Sequence, residues 1–300
     1  ALVEVLFGKV NPSGRLAETF PIKLEDTPCY DHFPGGQYRV QYREGLNVGY
    51  RYYSSVQKPV RFPFGHGLSY TNFSYTDLKL STENINAGDS LTVSVTVENR
   101  GNITGKEVIQ IYIRDTVSSV YRPDRELKGF AKVQIEPGES ETVNIELDSR
   151  AFAFFDPLRN DWVVEEGEFE ILAGSSVDAI HLTETVFVRS AQKVLCEYPA
   201  ADRDAKIYSD RLFEMIYRKP LPRDLPDTPD FTMDTPLSIV KDTQVGSQLY
   251  AGLLENITKM FGTGNSSEAN SETSMDEQKT ARMFQKMIIG VPVRGIAMFS

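Results

Sequence analysis

Between Phe73 and Arg189 the sequence keeps returning to one pattern, a short run of alternating apolar and polar residues closed by turn formers. Leu91, Val93, Val95 and Val97 alternate with Thr92, Ser94, Thr96 and Glu98. A period of two puts the apolar set on one face of a strand. The alternation returns at Ile109, Ile111 and Ile113 against Val108, Gln110, Tyr112 and Arg114, then at Val143, Ile145 and Leu147, and again at Phe169, Ile171 and Ala173. Asn99-Arg100-Gly101-Asn102, Glu136-Pro137-Gly138 and Gly174-Ser175-Ser176 read as the turns between them. About seven strands in roughly 115 residues, with no helical period between them, argue against a βαβ fold. One-sided strands need a second sheet to cover them, so the pattern predicts an immunoglobulin-like or fibronectin-like β-sandwich.

The flanks have a different texture. Leu2, Val3, Leu6 and Phe7 fall at helical spacing, Gly8 is placed to end that turn in a left-handed conformation, and Asn11-Pro12-Ser13-Gly14 signals a turn. From Arg15 to Tyr53 no periodicity persists, and Asp31-His32-Phe33-Pro34-Gly35-Gly36 reads as a loop. So long an irregular stretch needs a scaffold to lie across. Beyond Arg189 the pattern turns helical. Ser209 is placed to cap a helix carrying Leu212, Phe213, Met215 and Ile216, and the prolines between Arg218 and Pro226 predict extended chain. Thr235-Pro236 reads as an N-cap followed by a first-turn proline, and Leu249, Leu253, Leu254, Ile257, Met260 and Phe261 form an amphipathic stripe ending at Gly262. Residues 263–273 have little to bury and read as a flexible linker, before a last helix from about Met275 to Ile289 with Ala281, Phe284, Met287 and Ile288 on one side.

Three regions are therefore expected, 1–72, 73–189 and 190–300. The chain begins at Ala1 inside an apolar helical turn and closes on the apolar run Ile296-Ala297-Met298-Phe299. That leads to the expectation that it is cut from a longer polypeptide.

Charge and composition exclude several functions. Thirty-two basic residues against 42 acidic ones leave a net charge of −10, which repels polyanions and argues against nucleic acid as a partner. No run approaches the ~20 apolar residues of a membrane span, so no membrane partner is expected. Cys29 and Cys196 are too few for a disulfide framework and stand far from any His cluster, so both are read as buried thiols and no metal or cofactor site is expected.

Sugar hydrolysis needs two carboxyl groups about 5 to 9 Å apart. Asp31 beside His32, and Glu44 in Tyr42-Arg43-Glu44-Gly45-Leu46, are the loop acids to test for it, although an ion pair with Arg43 or Arg51 is the plainer reading. His66, between Gly65 and Gly67, could shuttle protons, but a histidine packed and hydrogen-bonded at a domain junction is favoured because no partner acid stands at readable spacing. His181 begins an expected strand. Tyr38, Tyr42, Tyr50, Tyr52 and Tyr53 with Arg39, Arg43 and Arg51 suit either a sugar ring or a domain interface, and the acidic chain favours the interface. Ser69 and Ser74 lack the spacing of a nucleophile elbow, and the glycosylation sequons at Asn72, Asn102, Asn256 and Asn265 are too permissive a pattern to place the chain.

Taken together, several segments resemble glycoside hydrolase family 3, the β-glucosidase family. They are Ala1-Leu2-Val3-Glu4-Val5-Leu6-Phe7-Gly8, Asn11-Pro12-Ser13-Gly14-Arg15-Leu16, Glu44 to Tyr53, and Phe62-Pro63-Phe64-Gly65-His66-Gly67-Leu68-Ser69-Tyr70. Gly105 to Tyr112, Arg122 to Phe130 and Glu136-Pro137-Gly138-Glu139 are similar to the fibronectin type III-like domain that ends many of these enzymes. The resemblance covers residues 1–189, and 190–300 resembles a helical extension of some bacterial members.

The fold it implies is mainly β: a fibronectin type III-like (immunoglobulin-like) β-sandwich, preceded by the end of an α/β sandwich domain and followed by a helical extension. It also implies that the aspartate nucleophile and the glutamate acid/base come from barrel and sandwich domains upstream of Ala1. No catalytic, cofactor-binding or metal-ligating residue is therefore assigned to this chain, and Glu44 is not that acid/base. The parent's expected partners are β-linked glucosides or oligosaccharides and its own upstream domains. Self-association into a homo-oligomer is left open, and a cytoplasmic location is favoured over a secreted one. The alternative is a stand-alone carbohydrate-binding or adhesion module on the sandwich, which calls for aromatics aligned on a sheet face. Trp162 is the sole tryptophan.

Overall fold

In the computed structural model, residues 2–33, 35, 40–196, 198, 207–221, 233–260, 283, 287 and 290–296 are described. Residues 1–31 with 42–221 form one unit, and residues 32–41 with 222–300 a second. In the first unit a helical turn α1 (Leu2–Leu6) is followed by β1 (Phe20–Pro21), a helix α2 (Tyr50–Ser55) and β2 (Val60–Phe62), which pairs with β1. The sandwich then runs β3 (Phe73–Leu80), β4 (Asn84–Asn86), β5 (Leu91–Asn99), β6 (Gly105–Asp115), β7 (Glu126–Ile135), β8 (Ser140–Leu147), β9 (Phe154–Asp156), β10 (Asp161–Val163), β11 (Gly167–Gly174) and β12 (Ile180–Arg189).

Two sheets face each other, a three-stranded one in the order β3-β5-β8 and a five-stranded one in the order β4-β12-β11-β6-β7. All pairings within them are antiparallel except β12 with β4. The core lies between the sheets. Leu91, Val93, Val95 and Val97 are fully buried and share one cluster with Ile109, Ile111, Phe169, Ile171 and Val186. Each such side chain contributes about 1.5–3 kcal/mol by leaving water. Phe152 meets Phe169 edge to face at a centroid distance of 5.4 Å.

The mainly β, fibronectin-like sandwich expected from the alternation is the observed fold. Three details differ. The sheets hold eight strands, and β9 pairs with β10 in a separate hairpin. The extra strands are three residues long, too short for an alternation to register. The stretch from Arg15 to Tyr53 contains β1 and the start of α2, elements set by pairing with β2 and by packing rather than by a local period. Finally, the predicted outward face of β6 is not exposed, because Gln110 and Tyr112 are as buried as the isoleucines. Tyr50 and Phe64 from the preceding region lie over them, with Tyr50 and Tyr112 at 6.1 Å and Tyr50 and Phe64 at 4.6 Å between centroids.

Gly8 closes α1 with φ of 70°. Ser209 caps α3 (Asp210–Tyr217) by accepting the Leu212 N–H at 3.2 Å, and Leu212 is buried. Arg218 is left-handed rather than extended, because the chain must turn away where the helix carbonyls end. In the second unit α4 (Leu237–Val240) and α5 (Gln244–Met260) pack together, with Leu237, Val240 and Leu253 buried. Pro236, not Thr235, holds the cap position of α4: its backbone is extended and forms a bridge with Pro292, which fixes it outside the helix. The expected linker 263–273 lies outside the described residues, as does the helix expected over 275–289 apart from Met283 and Met287, both exposed. Among the described residues no helix is long and apolar enough to cross a membrane.

Candidate functional site

The residues preceding the sandwich are stitched to it by polar contacts at one end of β6. Arg15 sends one guanidinium nitrogen to the Glu107 carboxylate at 2.5 Å and another to the Gly67 carbonyl at 3.2 Å. Glu107 is 1% exposed and also accepts the Tyr75 hydroxyl at 3.0 Å. Asn11 donates to the Thr104 carbonyl at 3.1 Å and accepts from Ser69 Oγ and the Tyr70 N–H. Backbone bonds Leu16 N–H to His66 O and Gly65 N–H to Leu16 O complete the seam. Gly65 holds φ of 81°, and a Cβ there would overlap the Gln110 amide, so this position requires glycine.

A second seam binds residues 43–47 to the segment after the sandwich. Arg43 pairs with Asp210 at 2.5 Å and its carbonyl accepts the Tyr208 N–H at 2.7 Å. Tyr121 donates its hydroxyl to Asn47. Tyr208, Tyr198, Cys196 and Leu212 join Val120, Tyr121, Phe154 and Val163 in a cluster separate from the main core. Asp156, fully buried, anchors the segment leading there by accepting the N–H groups of Leu158, Arg159, Leu195 and Cys196 at 2.7–3.1 Å. Burial opposes its charge, but these donors outweigh that and hold its pKa below the usual carboxylate range.

Between the sandwich end and this cluster lies a cavity of about 310 Å³. Its walls include Tyr121, Phe155, Trp162, Cys196 and Tyr198 together with Arg51, Arg122, Glu126 and Lys128. Burial alone would raise the Glu126 carboxyl, but Lys128, Arg122 and Arg51 hold it below its ordinary value. Burial pushes the Cys196 thiol up to about 11, so it stays protonated at neutral pH.

The residues singled out in the sequence scatter. Asp31 is exposed, whereas Glu44 is buried at 7% exposure with its Oε2 unpartnered among the described residues. His66 stacks on Phe62 at 5.3 Å and His181 on Tyr75 at 4.4 Å. The tyrosine and arginine group does not act together: Tyr50 packs over the sheet, Arg51 reaches Glu126 at 3.8 Å, Arg43 serves the second seam and Tyr42 is 71% exposed. Tyr38 and Arg39 lie outside the described residues. Cys196 is buried as expected, but Cys29 is half-buried because it sits in the irregular stretch rather than in a core. Among the described residues no three His, Cys, Asp or Glu side chains gather as a metal site.

The pairings of Asn11, Arg15, Glu107 and Asp156 were not anticipated. One signal was readable, since Glu107 stands in phase with Ile109 and Ile111 on the buried face, where a charge demands a partner.

A β-sandwich of this topology, with a preceding segment sealed along β6, defines a fibronectin type III-like domain. Comparison with known proteins specifies both parts. Residues 1–70 match the glycosyl hydrolase family 3 C-terminal domain, and residues 107–177 match the fibronectin type III-like domain. The chain is 50% identical over 210 residues to thermostable beta-glucosidase B of Acetivibrio thermocellus, covering 70% of this chain and 28% of that protein. It is 44% identical over 186 residues to an exo-alpha-(1->6)-L-arabinopyranosidase of Bifidobacterium breve, covering 62% of this chain and 24% of that one.

Among solved structures, the beta-glucosidase of Kluyveromyces marxianus in complex with glucose superposes with a TM-score of 0.58 at 42% identity, covering 63% of this chain and 22% of its own. A family 3 beta-glucosidase of Bifidobacterium adolescentis covers 83% of this chain and 31% of its own, with a TM-score of 0.59 at 33% identity. The chain thus carries family 3 C-terminal sequence followed by a fibronectin type III-like domain, as in the C-terminal part of β-glucosidase-like proteins. It spans about a quarter of the length of the curated relatives it matches, 28% for the Acetivibrio thermocellus enzyme.

Proposed function

We propose that this chain is the C-terminal, non-catalytic portion of a β-glucosidase-like glycoside hydrolase, organised as 1–72, 73–189 and 190–300, and that it acts as scaffold. The observation that carries this reading is the 50% identity to a β-glucosidase of which the match spans only 28%. The parent reaction is a retaining displacement on a β-linked glucoside or oligosaccharide. A carboxylate attacks the anomeric carbon, a second carboxyl protonates the departing oxygen, and water releases the glycosyl enzyme. Both carboxyls belong, in this reading, to barrel and sandwich domains preceding Ala1.

The geometry of this chain supports a holding role. Of the buried carboxylates among the described residues, Asp26 is engaged by Lys58 at 3.0 Å, Glu107 by Arg15 and Asp156 by backbone donors, whereas Glu44 keeps its Oε2 without a partner and is therefore the acid the assay has to test. The Arg15–Glu107 and Asn11–Thr104 contacts fix the preceding domain's end on the sandwich.

The test is an assay of the purified 300-residue chain on an aryl β-glucoside. No turnover is expected from it alone, and turnover is expected once it is joined to the upstream domains. Cleavage by the chain alone, abolished by Glu44→Gln, overturns the reading.

A further inference from the structure

The cavity at the end of the sandwich carries more cations than carboxylates on its own wall. Glu126 is shared by three cations: Arg122 at 3.0 Å, Lys128 at 3.5 Å and Arg51 at 3.8 Å. Arg122 is already satisfied, because it also meets Asp115 at 3.1 Å and the Phe152 carbonyl at 3.0 Å. On the cavity wall itself Arg51, Arg122 and Lys128 stand against the single carboxylate Glu126, with Asp115 paired to Arg122, Glu165 near Asp115, and Glu146 and Asp148 lining an adjoining recess with Lys128. The nearby acid Asp124 is committed elsewhere, to Arg114 at 3.0 Å and Arg125 at 2.7 Å. Arg51 Nε is buried and, among the described residues, has no hydrogen-bond partner. The Lys128 side chain is only 17% exposed, and burial lowers its pKa, so the site holds a cation at a cost that a bound anion would relieve.

The remaining walls are of another kind. Phe155 and Trp162 meet edge to face at 5.7 Å, and Pro157, Phe154 and Tyr198 continue an apolar surface. A volume of about 310 Å³ is at the small end of ligand sites and suits one ring rather than a chain of them.

We infer that this cavity binds a small organic monoanion, a carboxylate carried on a single six-membered ring, with the carboxylate at Arg51 and Lys128 and the ring against Phe155 and Trp162. The excess of cations over carboxylates on the cavity wall suits an anion, a guanidinium matches the planar geometry of a carboxylate, and aromatic walls match a ring face. The inference does not depend on the catalytic reading above, since every wall of the cavity comes from this chain.

Trp162, the sole tryptophan, lines the cavity and supplies the signal. The whole 300-residue chain is titrated with glucuronate and with cyclohexanecarboxylate, neither of which absorbs where tryptophan does. Glucose and cyclohexanol serve as neutral counterparts, and calorimetry runs in parallel. At least one carboxylate should give a saturable change in Trp162 fluorescence at or below about 10 mM, with its neutral counterpart about tenfold weaker or silent. Which carboxylate responds tells whether the ring is a sugar or a hydrocarbon. Lys128→Met and Arg51→Gln should each weaken binding about tenfold, while Arg150→Gln, whose guanidinium stacks on Trp162 at 4.0 Å but does not line the cavity, should leave it unchanged. No saturation by either carboxylate, equal binding of charged and neutral rings, or indifference to both charge-removing substitutions overturns the proposal. If a substituted chain does not fold, the charged-against-neutral comparison on the unaltered chain decides.

Discussion

Arg15 and Glu107 stand 92 positions apart in the chain and meet at 2.5 Å, the arginine reaching from the segment before the sandwich to a glutamate on its buried β6. Glu107 occupies a core-phase position, so its charge is tolerable only while Arg15 and Tyr75 are there to receive it. Arg15→Met should therefore cost about 3–5 kcal/mol in urea unfolding, because it strands a buried carboxylate. Adding Glu107→Met should recover a large part of that loss. A double variant no more stable than Arg15→Met would show that the pair is not the source of the effect.

Asp156 makes a pH-dependent contribution whose sign follows from its lowered pKa. A carboxylate whose folded pKa lies below the unfolded value of about 3.9 stabilises the fold above that pH and ceases to do so as pH falls through the folded value. Asp156→Asn presents an N–H₂ where backbone N–H groups need an acceptor, so it should cost about 1–3 kcal/mol at pH 7. The gap between variant and unaltered chain should narrow below about pH 4. Denaturant melts at pH 7, 5 and 3 measure this, and a gap independent of pH would contradict it.

Gly45 combines φ of 53° with a position where an added Cβ would run into the Tyr208 ring. Gly45→Ala should push Tyr208 away and loosen the second seam while the sandwich stays folded. Amide exchange in Leu212–Tyr217 should accelerate about tenfold or more, with exchange in Leu91–Asn99 unchanged. Equal exchange in α3 would mean that Tyr208 is not its tether.

Ser209 gives α3 its N-terminal acceptor. Ser209→Ala should weaken the helix by about 1 kcal/mol, and Ser209→Asp should restore it, since either oxygen can receive the Leu212 N–H. Exchange rates of the first-turn amides report both changes.

Several of these features were legible in the residues. The phase of Leu91, Val93, Val95 and Val97 follows from backbone geometry alone, because successive side chains of a strand point to opposite faces whatever surrounds them. The cap at Ser209 and the left-handed Gly8 are equally local, each set by what one residue can do for the turn beside it. The family segments were readable too, because their residues lie close together in sequence.

What the tertiary structure decided is who meets whom across long stretches of chain. Periodicity marks Tyr112 and Gln110 as outward-facing, and they are buried only because Tyr50 and Phe64, about sixty and fifty positions earlier, fold back over them. Glu107 announces that it needs a cation, but any of the 32 basic residues would satisfy that requirement on paper. Only the path of the chain selects Arg15. The cavity is more remote still from the sequence, since its walls come from α2, the loop before β7, the β9–β10 hairpin and the segment at Cys196. A local pattern records the face a residue prefers, whereas a site depends on distances between segments, and those are fixed only when the whole core has packed.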